Sequence, residues 1–500
     1  MGNGATADHD DASIDLHLDE ILAAAPEVAL LAANPVRDPD AVAYRHEVFR
    51  DLESPVLADA AGRFVVDIAT ARERLDHAAT LVHPQERARW ILAALDTYRG
   101  AVAAFGLALD DGAVASRGLA AVRDELRAYR ASDAFTTLTD DAARTLADLG
   151  AVTYRLRIGE HRVIVGRHDD EADYGAEIAA TFARFRPAGA ALPPPVPVDR
   201  FETADLNPLE ADILDQVARQ RPAPFAAMQA FATRHAGAME LAVIAIADDL
   251  HAYLGWLRLI APLREAGIAC GYPTVIVDAE AMAPLRFEAR GLVDLALALR
   301  LTTAGGPVVA NDVSVGAGER IVVITGPNQA GKTTLARAIG QLARLATIGV
   351  PVPAESATIT LADDVHTLFA RAEDPADLTG RLEAELIRAR AILDGAGPRS
   401  LVIVNEAFAS TTVDDALALD RALLTELTAR GATCVVVTFL GELASFDDTT
   451  VSLAEVVDPD DPSRPTYRFA RRPADDLAHA RVVAAAHGLD YDTVRARIAR

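Results

Sequence analysis

The sequence predicts a two-part fold, in which an all-helical domain with a small β-hairpin insertion precedes an α/β P-loop domain. From Ile14 to about Leu149, apolar residues recur every three or four positions, the period of an amphipathic helix. Beyond residue 270, short apolar runs alternate with helical stretches, as in α/β domains. A glycine-rich loop, GPNQAGKTT at residues 326–334, follows one of these runs and opens a helix.

Length and composition bound the class of protein. The chain of 500 residues exceeds the size of one hydrophobic core, and 51% hydrophobic with 24% charged residues is typical of a globular protein. A formal net charge of −25 opposes broad binding to nucleic-acid phosphates. A local stripe of arginine side chains could still contact them, so DNA stays open as a partner.

The cysteines and the N-terminal residues indicate a cytoplasmic protein. Cys270 and Cys434 are far apart and lack metal-site spacing, so we interpret both as reduced, buried thiols. Residues 1–12 are small and acidic, which predicts a disordered tail rather than a signal peptide. Because no apolar run reaches 18 residues, we expect no membrane span.

The helical core and lever domain is predicted over residues 13–269. An alternating apolar and polar pattern, broken at Gly159, predicts a β-hairpin at about residues 152–167. Residues 187–199, PAGAALPPPVPVD, predict an extended proline-rich linker. Helical periodicity then continues over residues 207–265, a length that favours an arm or lever over a compact bundle.

The α/β domain is predicted over residues 270–500 and ends in C-terminal helices at residues 477–498. Its strands are predicted from five apolar runs, at residues 274–277, 308–309, 321–325, 401–404 and 434–438. The third run leads directly into the glycine-rich loop. A strand, a loop and a helix in this order direct backbone N–H groups and the helix dipole toward a bound anion.

The loop matches the phosphate-binding pattern G-x-x-x-x-G-K-[ST]. The predicted nucleotide-binding residues are Gly326, Pro327, Asn328, Gln329, Ala330, Gly331, Lys332, Thr333 and Thr334. Lys332 is the only lysine among the 48 basic side chains. Its compact ammonium suits the β- and γ-phosphates, whereas a planar guanidinium is too wide for such a loop. We therefore expect ATP as ligand, with Mg²⁺ bound in part by the Thr333 hydroxyl.

A second apolar strand should end in an acidic residue, and the run at 401–404 leads into Asn405 and Glu406. Glu406 is predicted to orient the attacking water as a general base, and so to be catalytic together with Lys332. The alternative is a helix-capping acid. Asn405 occupies the position where an aspartate supports the magnesium shell, and its neutral amide would contact that shell more weakly, through water.

Several segments resemble, in order and spacing, those of the MutS family of DNA mismatch-repair ATPases. The loop is similar to that family's G-P-N-M-G-G-K-S-T, and Asn405–Asp415 matches its D-E-x-x-x-x-T-x-x-x-D stretch apart from the asparagine. Three further segments resemble family segments, namely Tyr272–Thr274, Val309–Val313 and Val350–Ala354. The resemblance covers the α/β half well and the helical half more loosely.

The resemblance implies an ABC-like ATPase domain after core and lever helices, a homodimer, and DNA as a partner contacted through its backbone and shape. The hairpin would take the place of the family's DNA clamp. Its arginines would contact DNA or, as an equal alternative, be solvated at a strand edge; they are Arg155, Arg157, Arg162 and Arg167. The family's signature, which completes the partner's ATP site, would lie at residues 377–382, with Thr379 as the hydroxyl.

Departures from the family pattern modify these expectations. Phe439 replaces the family's switch histidine and, with Asn405, predicts slow hydrolysis. Because helical periodicity begins by Ile14, we expect no mismatch-reading domain. The predicted function is a DNA-binding ATPase of DNA repair or recombination without direct mismatch reading. The alternative is a nucleotide-controlled scaffold with slow turnover and no DNA contact. An ABC transporter ATPase is disfavoured because an L-S-G-G-Q-type signature is missing.

Overall fold

The computed structural model divides the chain into two compact units. The residues described are 11–159, 162–168, 181, 206–277, 284–371, 380–458, 464–474 and 494–495. Unit 1 comprises the described residues of 1–54, 115–118 and 251–500, and unit 2 comprises those of 55–114 and 119–250. The predicted proline-rich linker and most of the predicted C-terminal helices lie outside the described residues.

This division differs from the boundary predicted at residue 269, because the N-terminal helices belong to the α/β unit. The Thr367 hydroxyl donates to the Asp15 carboxylate at 2.7 Å, and the Gln341 amide donates to the Leu16 carbonyl at 2.9 Å. Helical periodicity indicates that a segment is helical, but it does not reveal which core that segment packs on.

The last two residues of the predicted tail are helical, and residues 1–10 lie outside the described residues. Asp11 and Ala12 belong to a helical turn at residues 11–15, and Ala12 is buried. Three helices follow in unit 1: α1 (Leu18–Ala24), α2 (Ala29–Ala33) and α3 (Pro39–Leu52), with a 3₁₀ turn at Pro26–Val28. Helix α3 begins where Pro39 follows the capping side chain of Asp38, a favoured helix start.

Unit 2 is built from long helices. They are α4 (Pro55–Thr80), α5 (Pro84–Asp111), α6 (Arg117–Arg130), α7 (Asp133–Gly150), α8 (Pro208–Gln220), α9 (Pro222–Arg234) and α10 (Leu241–Glu265), which passes into unit 1 after Leu250. Helix α4 packs along α5, and α9 packs against α5 and α7. The rings of Phe64 and Phe105 stack between the first pair, with centroids 4.6 Å apart.

Helix α5 is, among the described residues, the one helix long and apolar enough to cross a membrane by length and composition. Half of its apolar window is buried inside the protein, including Leu92, Leu95 and Val102. The buried face of a central helix accounts for this apolar composition.

A two-stranded antiparallel hairpin, β1 (Arg155–Ile158) and β2 (Val163–Gly166), lies within unit 2 where the sequence predicted one. Arg157 pairs with Ile164 in its register, and both side chains are exposed. The first described helix after the hairpin, α8, begins with a capping box: the Asn207 side chain accepts from the N–H of Glu210, and the N–H of Asn207 donates to the Glu210 carboxylate.

Two sheets form the centre of unit 1. Its strands are β3 (Thr274–Val275), β4 (Phe287–Leu292), β5 (Asn311–Val315), β6 (Ile321–Thr325), β7 (Ser356–Ile359), β8 (Asp364–Phe369), β9 (Ser400–Asn405), β10 (Thr433–Val437), β11 (Thr450–Glu455) and β12 (Phe469–Arg471). Its later helices are α11 (Leu295–Ala304), α12 (Lys332–Ile348), α13 (Arg381–Gly395) and α14 (Val413–Ala429), with a 3₁₀ turn at Gly441–Ser445. The predicted strand at 308–309 instead lies slightly later, as β5.

The larger sheet has the order β12-β11-β6-β10-β9-β8, and its strands are parallel except for β12. The smaller, mixed sheet has the order β3-β7-β4-β5. Strand β10 therefore separates β6, which precedes the glycine-rich loop, from β9, which precedes Glu406. All five residues of β6 and of β10 are buried, as expected for central strands covered on both faces.

A buried pair of acids lies between α13 and α14. Glu385 and Asp420 are each 4% exposed. Burial, and then the charge of Glu385, raise the pKa of Asp420 to about 7. The folded chain therefore keeps a proton on Asp420 at pH values where the unfolded chain has released it.

We expect this pair to make stability depend on pH. Because the folded-state pKa of Asp420 is raised, its contribution to stability is complete below about pH 4 and is lost as pH rises toward about 7. Asp420→Asn should remove this loss and raise the free energy of unfolding at pH 8 by on the order of 1–4 kcal/mol, with little change at pH 4.

Urea unfolding followed by circular dichroism at both pH values measures this effect. Glu426→Gln, at an exposed position of α14, is the matched control. If the Asp420→Asn chain and the control respond to pH alike, Asp420 is not the titrating group.

Candidate nucleotide site at the carboxyl edge of the central sheet

Three parallel strands bring the predicted site residues to one edge of the larger sheet. Val437 of β10 is in register with Ile324 of β6 on one side and with Asn405 of β9 on the other. The three chain segments that follow these residues therefore begin at the same level. In open α/β sheets, ligands bind at this carboxyl edge.

The glycine-rich loop turns through three positions with positive φ. Gly326 has φ 148°, Gln329 has φ 71° and Gly331 has φ 90°. A side chain is unfavourable at such angles, which explains glycine at the first and last positions. At Gly326, a Cβ atom would also lie 3.3 Å from the Cβ of Glu455. Helix α12 begins at Lys332, within the last third of this motif, with Gly331 as its N-cap.

Lys332 is 4% exposed and its ammonium lies within the loop. It donates to the carbonyl of Gly326 at 2.7 Å and to that of Pro327 at 3.1 Å. The ammonium also lies 4.3 Å from the centroid of the Phe439 ring, a cation–π contact. Burial lowers the pKa of Lys332, and the charges of Glu406 and Glu455 oppose that shift.

Thr333 and Asn405, the two predicted magnesium-site residues, are in direct contact. The Thr333 hydroxyl donates to Oδ1 of Asn405 at 2.9 Å. A hydroxyl and an amide oxygen are hard oxygen donors, the type that Mg²⁺ prefers, and the cation usually retains several waters. The donor set fits this ion, although neither side chain carries the negative charge of an aspartate.

Glu406 follows β9 in a left-handed conformation with φ 51°. Its N–H donates to the carbonyl of Val437 at 2.9 Å, which ties it to the end of β10. The next helix, α14, is capped by Thr412, whose hydroxyl accepts from the N–H of Asp415. Glu406 therefore does not cap that helix, and its side chain lines the cavity beside the loop.

The loop opens into a cavity of about 570 Å³. Glu406 and seven of the nine predicted nucleotide-binding residues line it; the seven are Pro327, Asn328, Gln329, Gly331, Lys332, Thr333 and Thr334. The far side is apolar and includes Leu297, Leu301 and Val308. Sequence reasoning missed this wall because α11 and the segment before β5 match no phosphate-binding pattern.

Tyr467 is a second lining residue that the sequence did not reveal. It has φ 58° and approaches Gly331, where a Cβ atom would lie 3.4 Å from its ring. Asn311 holds the segment in place, since its amide donates to the Tyr467 carbonyl at 2.9 Å and its Oδ1 accepts from the N–H of Phe469 at 2.8 Å. Asn311 lies within the motif segment Val309–Val313, but its contacts with residues 467 and 469 could not be inferred from the sequence.

The structure describes only some of the remaining residues that the sequence analysis singled out. Thr379 lies outside the described residues, whereas Gly380 and Arg381 form the N-terminal end of α13. Two of the motif segments lie next to each other, because Gly271, directly before Tyr272, forms a bridge with Val352. The hairpin arginines belong to unit 2, where Arg157, Arg162 and Arg167 are exposed and Arg155 is half-buried.

Comparison with known proteins identifies relatives of this region. A model of MutS domain V matches residues 322–459, from β6 past the end of β11. The DNA mismatch repair protein MutS of Granulibacter bethesdensis is 30% identical over 345 residues, covering 67% of this chain and 35% of that protein. MutS of Caulobacter sp. (strain K31) is 32% identical over 326 residues, covering 63% and 33%. Endonuclease MutS2 of Gemmatimonas aurantiaca is 37% identical over 144 residues, covering 29% and 18%.

The matched regions thus span at most 35% of the length of these three relatives. The family-model match, residues 322–459, includes most of β6, the glycine-rich loop and the Asn405–Glu406 segment that carried the resemblance seen in the sequence. That resemblance is confirmed, and the chain belongs to the MutS family as a divergent member.

Proposed function

We propose that this chain is a MutS-like ATPase that forms a cytoplasmic homodimer and hydrolyses ATP slowly. Its binding of nucleotide is coupled to its binding of the DNA backbone. The observation that carries the ATPase proposal is the meeting of Lys332, Thr333, Asn405 and Glu406 at one sheet edge. The strand order, with β10 between β6 and β9, supports an ABC-like P-loop fold for this unit.

Each residue has a distinct task in the proposed reaction. The loop N–H groups and Lys332 bind the β- and γ-phosphates of ATP, and the ammonium exchanges its present carbonyl partners for phosphate oxygens. Glu406 accepts a proton from the water that attacks the γ-phosphate. Thr333 and Asn405 would hold Mg²⁺, which neutralises developing phosphate charge when bound.

Two features support a slow reaction. Asn405 offers a neutral amide where an aspartate would add charge to the metal shell. Phe439 covers the ammonium of Lys332 with a ring that can neither donate nor accept a proton. A histidine at this position could form hydrogen bonds to a phosphate or a water, which a phenyl ring cannot.

The DNA part of the proposal depends on the hairpin and on the family relationship. Arg157, Arg162 and Arg167 provide exposed positive charge on an otherwise acidic chain. Tyr154, 46% exposed, is the aromatic residue beside the strands. Such a short hairpin suits contact with phosphates, whereas reading a mismatch requires a side chain that unstacks a base step.

A nucleotide-controlled scaffold without DNA contact is the second candidate. The net charge of −25 and the Lys332–Phe439 contact favour it, because the first opposes DNA binding and the second opposes rapid turnover. This candidate still requires ATP binding, so a measurement of duplex DNA binding separates the two candidate functions.

We expect ATP binding to require Lys332. Lys332→Ala should weaken binding of a fluorescent ATP analogue by on the order of 2–4 kcal/mol, since a charge-assisted contact to phosphate is lost. Lys332→Arg should also bind poorly, because a guanidinium is too wide for the site. Arg390→Ala, at an exposed position of α13, is the control. Affinity near that of the unaltered chain in Lys332→Ala would refute a nucleotide site at this loop.

We expect Asn405, the last residue of β9, and Glu406, which follows it, to set the rate of hydrolysis. Glu406→Gln should bind ATP normally and turn over roughly 10²-fold more slowly, because the proton acceptor is lost. Asn405→Asp should increase turnover, since a carboxylate adds charge to the metal shell and still accepts the Thr333 hydrogen bond. Steady-state phosphate release with ATP affinity measured in parallel tests both. Unchanged turnover in Glu406→Gln would show that another group orients the water.

We expect DNA affinity to depend on the hairpin charges and on salt. Replacing Arg157, Arg162 and Arg167 by serine should weaken duplex binding. The negative slope of log association constant against log salt concentration should become smaller in magnitude by up to about 3. The control replaces three exposed arginines elsewhere, Arg390, Arg421 and Arg430.

In competition binding, the affinities for matched and G·T-mismatched duplexes of equal length should differ by less than about tenfold, or 1.4 kcal/mol. A larger preference for the mismatch would reveal a base-reading element. No duplex binding at low salt, with ATP binding intact, would favour the scaffold.

A further inference from the structure

We propose that Glu385 is a positioning residue for the proposed ATPase reaction, because its buried carboxylate fixes the short loop that carries Glu406. This inference rests on the proposed function, since Glu406 is its target. Glu385 lies on α13 and Glu406 lies in the loop between β9 and α14, so the contact joins two elements that are distant in sequence.

The loop needs an external support because of its backbone conformation. Glu406 has φ 51° and Phe408 has φ 56°, so two of three consecutive residues with side chains adopt the left-handed region. Such conformations persist where surrounding contacts impose them, and they occur often at functional sites. The Phe408 ring contributes to this support, since it is 1% exposed and belongs to the apolar core.

Two hydrogen bonds hold the first three residues of this loop. The N–H of Glu406 donates to the carbonyl of Val437, and the N–H of Phe408 donates to Oε2 of Glu385 at 2.8 Å. The second bond is the one made by a side chain. Because the N–H of Phe408 is buried, loss of the acceptor would leave it unsatisfied and release the loop from this conformation.

The Glu385 carboxylate is itself held in place. Its Oε1 accepts from Nε of Arg381 at 3.3 Å, one turn earlier on α13, and the side chain is almost fully buried. Arg381 lies in the segment, residues 377–382, that the family resemblance assigns to the partner's nucleotide. A chain of contacts therefore runs from that segment through Glu385 to Phe408 and the Glu406 loop.

The test compares Glu385→Ala with Glu385→Gln, measuring ATP affinity and the maximal rate of hydrolysis separately. Glutamine keeps an oxygen that accepts from Phe408, so it should retain turnover within about threefold of the unaltered chain. Alanine should lower turnover by about tenfold or more while ATP affinity stays within about twofold, because the phosphate-binding loop is not altered. Turnover unchanged in Glu385→Ala, or a loss shared equally by affinity and turnover, would overturn the proposal.

A double-mutant cycle distinguishes positioning from general loss of stability. In a Glu406→Gln chain, Glu385→Ala should have almost no further effect, since the group that it positions is already lost. Additive losses would contradict the inference. Hydrogen exchange of the Phe408 amide gives a readout independent of hydrolysis, with protection retained in Glu385→Gln and reduced in Glu385→Ala.

These outcomes also separate the inference from the proposed function. If the unaltered chain hydrolyses ATP, Glu406→Gln is impaired and Glu385→Ala is normal, then only the role of Glu385 fails. If the unaltered chain and Glu406→Gln are equally inactive, the proposed reaction fails and the role of Glu385 fails with it.

Discussion

The parallel pairing of β10 with both β6 and β9 is the constraint on which the candidate site depends. Because Val437 is level with both Ile324 and Asn405, the glycine-rich loop, Glu406 and Phe439 all begin at one edge of the sheet. A slip of one residue in either ladder would turn the strand's side chains to the opposite face and shift Asn405 away from Thr333. The side chains of β6 and β10 are all buried, so a shifted register would have to pack them again at the same density on both faces of the sheet. This requirement opposes such a slip.

The sequence predicted the parts of this site that are local. Residues 326–334 form a pattern whose chemistry depends on adjacent residues, and the strand and helix around it follow from apolar periodicity. Asn405 and Glu406 were predicted because a buried strand precedes them. Tyr467 and the apolar wall near Leu297 were missed, because they reach the cavity through pairings that are distant in sequence. The two compact units differ from the predicted domain boundary for the same reason, since helical periodicity indicates a buried face but not the segment that covers it.

Two acidic side chains and one aromatic ring surround the single ammonium of the site. Lys332 is the only lysine of the chain, and the charges of Glu406 and Glu455 act on it, while Phe439 covers it. Carbonyl oxygens of the loop satisfy its donors before a phosphate does. In the proposed reaction a phosphate replaces contacts that already stabilise the ammonium. The affinity for nucleotide would then reflect a difference between two well-paired states rather than the full strength of a new ion contact.

The helix that carries the loop is also supported from its far side, by residues outside the matched family domain. Gln341 of α12 is fully buried, and its amide nitrogen donates to the Leu16 carbonyl and to the Asp294 carboxylate. Its oxygen accepts from the N–H of Leu295. One side chain thus forms hydrogen bonds with polar groups of an N-terminal helical segment and of the start of α11. Each such group costs about 1–3 kcal/mol when left buried without a partner. The matched domain alone would lack all three partners, and the Leu16 hydrogen bond is one of the contacts that join residues 11–54 to the α/β unit.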